Sequence, residues 1–250
     1  MTAPFVVAGG IVRNRAWILP DHLHAVAFNK PAQMFYLTGD NTDETAEILR
    51  FGMLFNGESQ GSRSVLTDGV EKETWMGTPI ASVLHDTGFP GYTRDGSDGP
   101  RYDSRHMAAE RNLWADEALK RWPQATHLWV VDSDVLPSPG VLERLLALET
   151  LVAGAFVPIA DGMTPIHMMG WRVRPRRTGE EKLLTKPHVV SLVGGCYLIR
   201  REVAEWPLTR PLWGPDAQGE DGYFARKMRQ NGIVMMVDPL ARCRHEMSQR

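Results

Sequence analysis

Short apolar runs alternate with amphipathic stretches along most of this chain. The apolar runs predict buried strands at Phe5–Ala8, Gln33–Leu37, Thr126–Val131, Leu151–Val157, Gly194–Ile199 and Gly232–Val237. Apolar residues at helical spacing predict helices at Trp17–Phe28, Thr42–Phe55, Ser104–Arg121, Pro139–Glu149 and Glu220–Asn231. Strands that alternate with helices are typical of an α/β fold in which a mainly parallel sheet is flanked by helices. We therefore expect a single α/β domain.

Two segments interrupt this pattern. Asn56–Tyr102 is rich in Gly, Ser, Asp and Thr and contains strand-like pieces at Ser64–Leu66 and Ile80–Leu84. This composition predicts an inserted loop region, and loops of this length usually carry a function. Farther along the chain, Met163–Arg174 and Leu183–Val190 are predicted to form a hairpin on an exposed face.

Composition and charge narrow the classes of function. The net charge of −2 excludes a protein that binds nucleic acid through its overall charge, so any such affinity must come from a local patch. The first residues lack the basic start and apolar run of a signal peptide, and the most apolar stretch, Leu145–Ala160, is too short to span a bilayer. Cys196 and Cys243 have neither disulfide-framework nor zinc-ligand spacing. We expect a cytoplasmic protein.

Two carboxylates stand where the predicted strand Thr126–Val131 ends. Asp132 and Asp134 are two positions apart, and alternation along a strand would send both side chains to the same side. A hard divalent cation prefers such oxygen ligands and keeps further positions open for diphosphate oxygens. The alternative is a solvated loop in which Asp134 caps the following helix. The pattern favours a metal site.

Two later groups of residues also indicate chemistry. Glu220 and Asp221 open a predicted helix, where acids either complement the helix dipole or place a carboxylate against a substrate hydroxyl as a general base. His245 follows the last predicted strand, which would return it to the carboxyl edge of the sheet. There it would complete an Asp/His site for a divalent transition metal.

The order of these parts resembles that of family 2-type GT-A glycosyltransferases. The similar segments are the opening strand and turn at Val7–Pro20, the second strand and turn at Tyr36–Thr45, the helix at Arg105–Asn112, the DxD motif at Asp132–Asp134, the acidic pair Glu220–Asp221 and the late histidine His245. The resemblance covers nearly the whole chain apart from Asn56–Tyr102 and Met163–Lys186. One departure is Gly39-Asp40-Asn41, where many relatives have paired acids.

The resemblance implies a role for each matching residue. Residues 1–135 would form the nucleotide-sugar-binding half and residues 136–250 the acceptor-binding half of a single GT-A domain. The donor set implied by the resemblance is Arg13, Asn14, Asp40, Arg105, Arg111 and Asp132, with either Arg105 or Arg111 near the phosphates. Asp134 and His245 would bind Mn²⁺ or Mg²⁺ directly, and Asp132 would lie near the ribose or the metal.

Catalysis is implied at the acidic pair Glu220 and Asp221. Asp221 would deprotonate the acceptor hydroxyl for direct attack on the anomeric carbon, which inverts that carbon. A UDP-sugar is the expected donor.

Two other functions compete with this interpretation. Asp132 and Asp134 also resemble the nucleophile motif of haloacid dehalogenase-type phosphatases, which form an aspartyl-phosphate. In those enzymes the motif lies on the first strand, whereas about half of this chain precedes it, and Arg13–Arg15 would have no role. The second alternative is a non-catalytic domain that binds a nucleotide or a glycan. The presence of metal acids, a late histidine and a candidate base speaks against it.

The acceptor is suggested by a basic segment, Trp171–Lys186, which holds six Lys and Arg residues in sixteen. Four of its basic residues are close together in the chain, Arg172, Arg174, Arg176 and Arg177. A solvated hairpin balanced by nearby glutamates explains them as well as a patch for an anionic polymer such as DNA does. If the acceptor is a hydroxylated base in DNA, Trp171 or Trp213 would stack on the flipped base. A protein or a soluble glycan is an equal alternative.

Overall fold

The computed structural model describes residues 3–51, 61–65, 71–87, 104–158, 186–217 and 219–246. The strands are β1 (Val6–Val12), β2 (Gln33–Thr38), β3 (Gly61–Val65), β4 (Glu71–Trp75), β5 (Thr78–Leu84), β6 (His127–Val131), β7 (Val135–Pro137), β8 (Val152–Phe156), β9 (His188–Val190), β10 (Cys196–Arg200) and β11 (Met235–His245). The helices are α1 (Leu19–Phe28), α2 (Thr45–Phe51), α3 (Ser104–Arg121), α4 (Val141–Ala147), α5 (Arg201–Glu205) and α6 (Gly219–Gln230), with a 3₁₀ turn at Pro207–Thr209.

These strands form one mixed sheet. Among the described residues it is 11-stranded, in the order β3-β4-β5-β2-β1-β6-β10-β8-β11-β7, with β9 paired to β11. Strands β5, β2, β1 and β6 are parallel neighbours, and β8 and β11 are parallel to each other. Strand β10 runs antiparallel between β6 and β8. The expected α/β fold is present, and its sheet is mixed because β3, β4 and β5 pair antiparallel at one end of the sheet and β10 runs antiparallel among the central strands.

The sheet separates two apolar layers, as the alternation of side chains along a buried strand requires. One face of the central strands contributes Val7, Phe35, Leu128 and other residues to a cluster with α3 and α6. The opposite face contributes Ala8, Tyr36, Trp129 and others to a cluster with α1 and α4. Both layers are buried, and the sequences of the central strands are therefore continuous apolar runs.

This topology brings the motifs of the chain to one edge. Strands β1, β2, β5, β6 and β11 all point the same way, because two antiparallel pairings separate β6 from β8 and β8 is parallel to β11. Their carboxyl ends therefore share an edge. Helices α3 and α6 lead directly into β6 and β11, so their amino-terminal turns lie at that edge too. Ligands of open α/β sheets bind at such an edge.

Some elements of the structure differ from those predicted. Strand β11 continues through Asp238 and Pro239 to His245, because a register shift between Asp238 and Arg242 absorbs the proline. Strands β4 and β7 were not predicted, whereas β9 lies within the predicted segment Leu183–Val190. Residues 159–185, which hold most of the predicted hairpin and the basic segment, lie outside the described residues. Within the described ranges, no helix is long and apolar enough to cross a membrane.

Candidate active site

The turns after β1 and β2 are joined by hydrogen bonds that hold the first part of the site. The backbone N–H of Asn14 donates to Oδ1 of Asn41 at 3.0 Å, and Oδ1 of Asn14 accepts from the N–H of Thr42 at 2.8 Å. The N–H of Arg15 donates to Oγ1 of Thr45 at 2.7 Å. These bonds satisfy backbone donors that the strand ends leave unpaired. The two turns therefore form one rigid wall.

The conformation of these turns explains their unusual residues. Asn14 and Asp40 have φ of 49° and 50°, a left-handed region that Asn and Asp enter more readily than most residues. A Cβ on Gly39 would lie 1.8 Å from the carbonyl oxygen of His85, because the ends of β2 and β5 approach closely there. The glycine that departs from the family pattern is thus required by local packing.

A cleft opens between these turns and helix α3. It encloses about 720 Å³ of space not filled by protein atoms, part of it open to solvent. Arg13, Asn14 and Asp40 line it, as do His85 and Glu110. These lining residues include three of the six that the sequence assigned to the donor.

The charged groups of the cleft are partly paired with one another. Nε of Arg13 donates to the backbone oxygen of Asp40 at 3.2 Å, and Oδ2 of Asp40 accepts from Oγ1 of Thr87 at 2.6 Å. Burial raises the pKa of Glu110, and the nearby His85, whose Nε2 lies 3.6 Å from Oε1 of Glu110, acts against this rise. The cleft thus offers both cationic and acidic groups to a polar ligand.

The two acids of the DxD motif lie in a turn rather than on a strand. Strand β6 ends at Val131, and the N–H of Val135 donates to the carbonyl of Asp132 at 2.8 Å, which closes a turn before β7. Strand alternation therefore does not apply to Asp132 and Asp134. Their carboxylates have separate partners: Oδ1 of Asp132 accepts from Arg111 at 2.7 Å, and Oδ2 of Asp134 accepts from Arg15 at 3.3 Å.

His245 reaches Asp134 through the extended last strand. Strand β11 pairs with β7 so that His245 is opposite Val135, and the N–H of Glu246 donates to the carbonyl of Asp134 at 2.8 Å. As a result Nε2 of His245 lies 3.6 Å from Oδ1 of Asp134. The predicted return of this histidine to the carboxyl edge is what the structure shows.

The environment sets the charge of both groups. Burial alone would raise the pKa of Asp134, but the contact with His245 and the charge of Arg15 outweigh it and lower that pKa. Burial alone would lower the pKa of His245, and Asp134 reverses this and raises it. The carboxylate is therefore ionised at neutral pH, as a metal ligand must be.

Asp134 and His245 fit a divalent cation as a pair. One carboxylate and one imidazole suit Mn²⁺ or another borderline cation, and Mg²⁺ is commonly held by one or two carboxylates plus substrate phosphates. Across the described ranges no group of three His, Cys, Asp or Glu side chains is assembled for a metal. The expected contribution of Asp132 to the metal site stays a prediction. The remaining coordination positions fall to water and to a ligand.

Arg111 is buried behind this edge. Its side chain is 5% exposed, and Nη2 contacts Oδ1 of Asp132 at 2.7 Å and Oε1 of Glu220 at 3.2 Å. Neither Arg111 nor Arg105, which is exposed in the first turn of α3, is among the residues that line the cleft. Arg13 therefore lines the cleft, whereas Arg105 and Arg111, either of which the resemblance placed near the phosphates, do not.

The acidic pair at the start of α6 divides into a buried and an accessible member. Glu220 is 4% exposed and bound to Arg111, whereas Asp221 is only half-buried. Burial, and then the charge of Asp221, raise the pKa of Glu220 to about 7, while a hydrogen bond with the backbone acts in the opposite direction. Of the two predicted catalytic acids, Asp221 is the one that a substrate can approach.

Two residues without a predicted role support this part of the site, Tyr197 and Asn112. The hydroxyl of Tyr197 lies 3.4 Å from Oδ1 of Asp221 and accepts from Nε1 of Trp213 at 2.9 Å. Asn112 holds the backbone of Trp213 by donating to its carbonyl at 2.7 Å. Trp213 is 1% exposed and stacks on Phe224, so the expectation that it stacks on a flipped base is wrong. Tyr197 lies within the apolar run Cys196–Ile199, and no local pattern marks such a contact.

His22 supports the turn that carries Asp134. Its Nδ1 lies 2.9 Å from the carbonyl oxygen of Val135, and its Nε2 lies 3.0 Å from the hydroxyl of Tyr36. Burial lowers the pKa of His22 to about 4, so the ring is neutral at neutral pH. It then donates through Nδ1 and accepts from the tyrosine. This buried pair fixes the start of β7, next to Asp134.

Comparison with known proteins assigns the fold. No family model matches the chain, and no curated protein matches it in sequence. Its structure is similar to that of two glycosyltransferases of the GT-A type. These are GalNAc-T7, solved with UDP, GalNAc and Mn²⁺, at 14% identity and a TM-score of 0.59, and S. aureus TarS, at 12% identity and a TM-score of 0.55.

Each match covers 98% of this chain but 43% and 37% of the respective neighbours, so the chain spans less than half of their length. The chain has the GT-A fold.

Proposed function

We propose that this protein is a metal-dependent glycosyltransferase that moves a sugar from a nucleotide-diphosphate sugar to a hydroxyl acceptor with inversion. The observation that carries the proposal is the meeting of Asp134 and His245 beside a cleft lined by Arg13 and Asp40. Metal ligands and an open cleft at the carboxyl edge of a GT-A sheet are the parts that this reaction needs.

The donor nucleotide lies in the cleft, with its diphosphate directed toward Asp134. Arg13 and Asn14 are fixed by the joined turns, so they meet the nucleotide without a large ordering cost. A UDP-sugar is the donor we favour. GalNAc-T7, which shares the fold, was solved with UDP and Mn²⁺, and this supports both the nucleotide and the metal.

Asp134 and His245 would hold the cation through Oδ1 and Nε2. When bound, a divalent cation neutralises charge that develops on the departing diphosphate. Arg15, at 3.3 Å from Oδ2 of Asp134, keeps the carboxylate oriented and adds positive charge at the same edge. The role of the chain is thus to fix the ligands and to keep Asp134 ionised.

Asp221 acts as the general base. It takes the proton from the acceptor hydroxyl as the hydroxyl oxygen attacks the anomeric carbon, and the bond from that carbon to the diphosphate breaks. A direct displacement of this kind inverts the anomeric centre. The hydroxyl of Tyr197 and the half-exposed position of Asp221 support this assignment, whereas Glu220 is occupied by Arg111.

The acceptor proposal is a hydroxylated base in DNA, and it rests on sequence. Arg172, Arg174, Arg176 and Arg177 motivate it, and all four lie outside the described residues. If the protein does not bind DNA, a protein or a glycan takes the place of DNA as the proposed acceptor. The cytoplasmic location also stays a prediction.

A nucleotide-sugar panel tests the proposed function. The protein is incubated with UDP-, GDP-, CDP- and TDP-sugars and Mn²⁺, and release of the nucleoside diphosphate to water is measured with and without chelator. We expect chelator-sensitive release from one class of donor, and NMR of the released sugar should show the inverted anomer first. Binding of nucleotide without release from any donor would instead identify a non-catalytic domain.

A further inference from the structure

One buried arginine connects the two acidic motifs of the site. Arg111 comes from the third turn of α3, and its Nη2 contacts both Asp132, in the turn after β6, and Glu220, in the first turn of α6. These partners are 21 and 109 residues away along the chain. Burial lowers the pKa of Arg111, but the charges of Asp132 and Asp221 outweigh it, so the guanidinium stays charged.

This position does not suit a residue that binds phosphate. The side chain of Arg111 is 5% exposed, and its contacts with Asp132 and Glu220 already neutralise it. Turning it toward a ligand would leave two acids at the edge without their cation, and an unpaired buried charge is strongly destabilising. A planar guanidinium between two carboxylates is better suited to fixing their separation.

The next residue of α3 holds the same region from a second direction. Oδ1 of Asn112 accepts from the N–H of Leu212 at 3.0 Å, and Nδ2 donates to the carbonyl of Trp213 at 2.7 Å. The indole of Trp213 then donates to Tyr197, whose hydroxyl reaches Asp221. Arg111 fixes Glu220, on one side of Asp221, while Asn112 fixes the segment that leads into α6.

We propose that Arg111, assisted by Asn112, is a positioning residue that sets the distance between Asp221 and the donor motif at Asp132 and Asp134. The inference rests on the proposed function, and it adds to that function a link between the donor and acceptor halves. The base must meet the acceptor while the acceptor meets the anomeric carbon. Misplacement of a reacting group by about 1 Å costs about 100-fold in rate.

Conservative substitution of Arg111 tests the proposal. Arg111→Lys keeps the positive charge but replaces the planar guanidinium, whose Nη2 lies between the two carboxylates, by a shorter side chain that ends in a single ammonium group. The matched control is Arg121→Lys, the same change on the same helix, where the exposed Arg121 pairs with Glu117 at 3.1 Å. Three quantities are measured for wild type and both variants: UDP affinity by calorimetry with Mn²⁺, kcat for release of UDP from a UDP-sugar to water, and amide hydrogen exchange across residues 219–224.

A positioning role predicts a split between binding and turnover. In Arg111→Lys we expect kcat to fall about 10- to 100-fold, UDP affinity to stay within about twofold, and exchange in the first turn of α6 to accelerate. Arg121→Lys should match wild type in all three. Glu220→Gln keeps a hydrogen-bond acceptor for Arg111 but removes the negative charge of residue 220. A positioning role predicts that kcat falls and that exchange in α6 accelerates in this variant too, by less than in Arg111→Lys. Glu220→Gln replaces Arg111→Lys in the comparison if the latter does not fold.

Two results would overturn the proposal. A tenfold or larger loss of UDP affinity with kcat nearly unchanged would make Arg111 a phosphate contact. Unchanged exchange across residues 219–224 would show that Arg111 does not hold α6. If wild type neither binds UDP nor releases it from a donor, the proposed function fails, and the exchange comparison still decides whether Arg111 fixes the start of α6.

Discussion

Replacing His245 by alanine should remove the effect of metal on nucleotide binding. His245 and Asp134 are the two side chains that we assign to the cation, and their facing atoms are 3.6 Å apart. In the wild type, Mn²⁺ should tighten the binding of UDP, because the cation joins the diphosphate to this pair. By linkage, UDP should tighten the binding of Mn²⁺ by the same factor.

The size of the effect follows from the number of ligands. Loss of a residue that merely supports a metal ligand lowers metal affinity about 10- to 100-fold. His245 is one of two direct ligands, so we expect at least about 100-fold, which is about 2.7 kcal/mol. UDP binding in chelator depends on Arg13 and Asp40 in the cleft and should stay within about twofold of wild type. The fold should survive, because His245 is the last residue of β11.

Calorimetry with UDP, in Mn²⁺ and in excess chelator, measures this difference directly. The matched control is His24→Ala, which removes an exposed histidine on α1 and should keep the full response to Mn²⁺. If His245→Ala keeps the wild-type response, His245 is not a metal ligand. If the wild type binds UDP with equal affinity in Mn²⁺ and in chelator, the assignment of a metal site to Asp134 and His245 is wrong.

Three further predictions concern the base, the support of the turn and the acceptor. Asp221→Asn should lower the rate of nucleotide release about 100-fold with UDP affinity unchanged, and undiminished release would place the base elsewhere. His22 has a pKa of about 4 when folded against 6.5 in the unfolded chain, so the unfolded chain binds more protons as pH falls. The stability that neutral His22 contributes is therefore complete above about pH 6.5 and is lost as the pH falls toward 4. Urea unfolding of the wild type should show that the free energy of unfolding falls by about 2 kcal/mol between pH 7 and 5, and that it falls by less in His22→Gln. Equal losses in the two proteins would contradict the burial argument. The last prediction concerns four arginines, Arg172, Arg174, Arg176 and Arg177. Replacing all four with alanine should weaken DNA binding and reduce its dependence on salt concentration. If the wild-type protein shows no salt-sensitive DNA binding, DNA is excluded as the acceptor.

Much of the fold could be predicted because local patterns specify it. The bounds of α3, Ser104–Arg121, agree with the helical spacing of its apolar residues. Strand β2 is buried over its full length, and such strands read as continuous apolar runs. The direction of β10 could not be predicted, since an apolar run does not reveal which way a strand enters the sheet. The extension of β11 did have a signal, because buried Ala241 and Cys243 alternate with exposed Arg242 and Arg244.

Prediction of the site was limited by long-range contacts. His245 could be placed from its position after the last strand, and the turns of Arg13 and Asp40 from theirs. The family resemblance implied that either Arg105 or Arg111 lies near the phosphates. The contact of Arg111 with Glu220 depends on how α3 and α6 pack, which local sequence does not encode. Asp132 and Asp134 have separate partners because the strand ends before them, and strand boundaries are the least certain part of a pattern.

An experimental structure with UDP and Mn²⁺ would test the central claim most directly. Anomalous scattering from manganese locates the ion independently of any assumption about its ligands. The account predicts one strong peak within about 2.3 Å of Oδ1 of Asp134 and Nε2 of His245, and a nucleotide in the cleft beside Arg13 and Asp40. A manganese peak away from this pair, or a nucleotide bound outside the cleft, would contradict it.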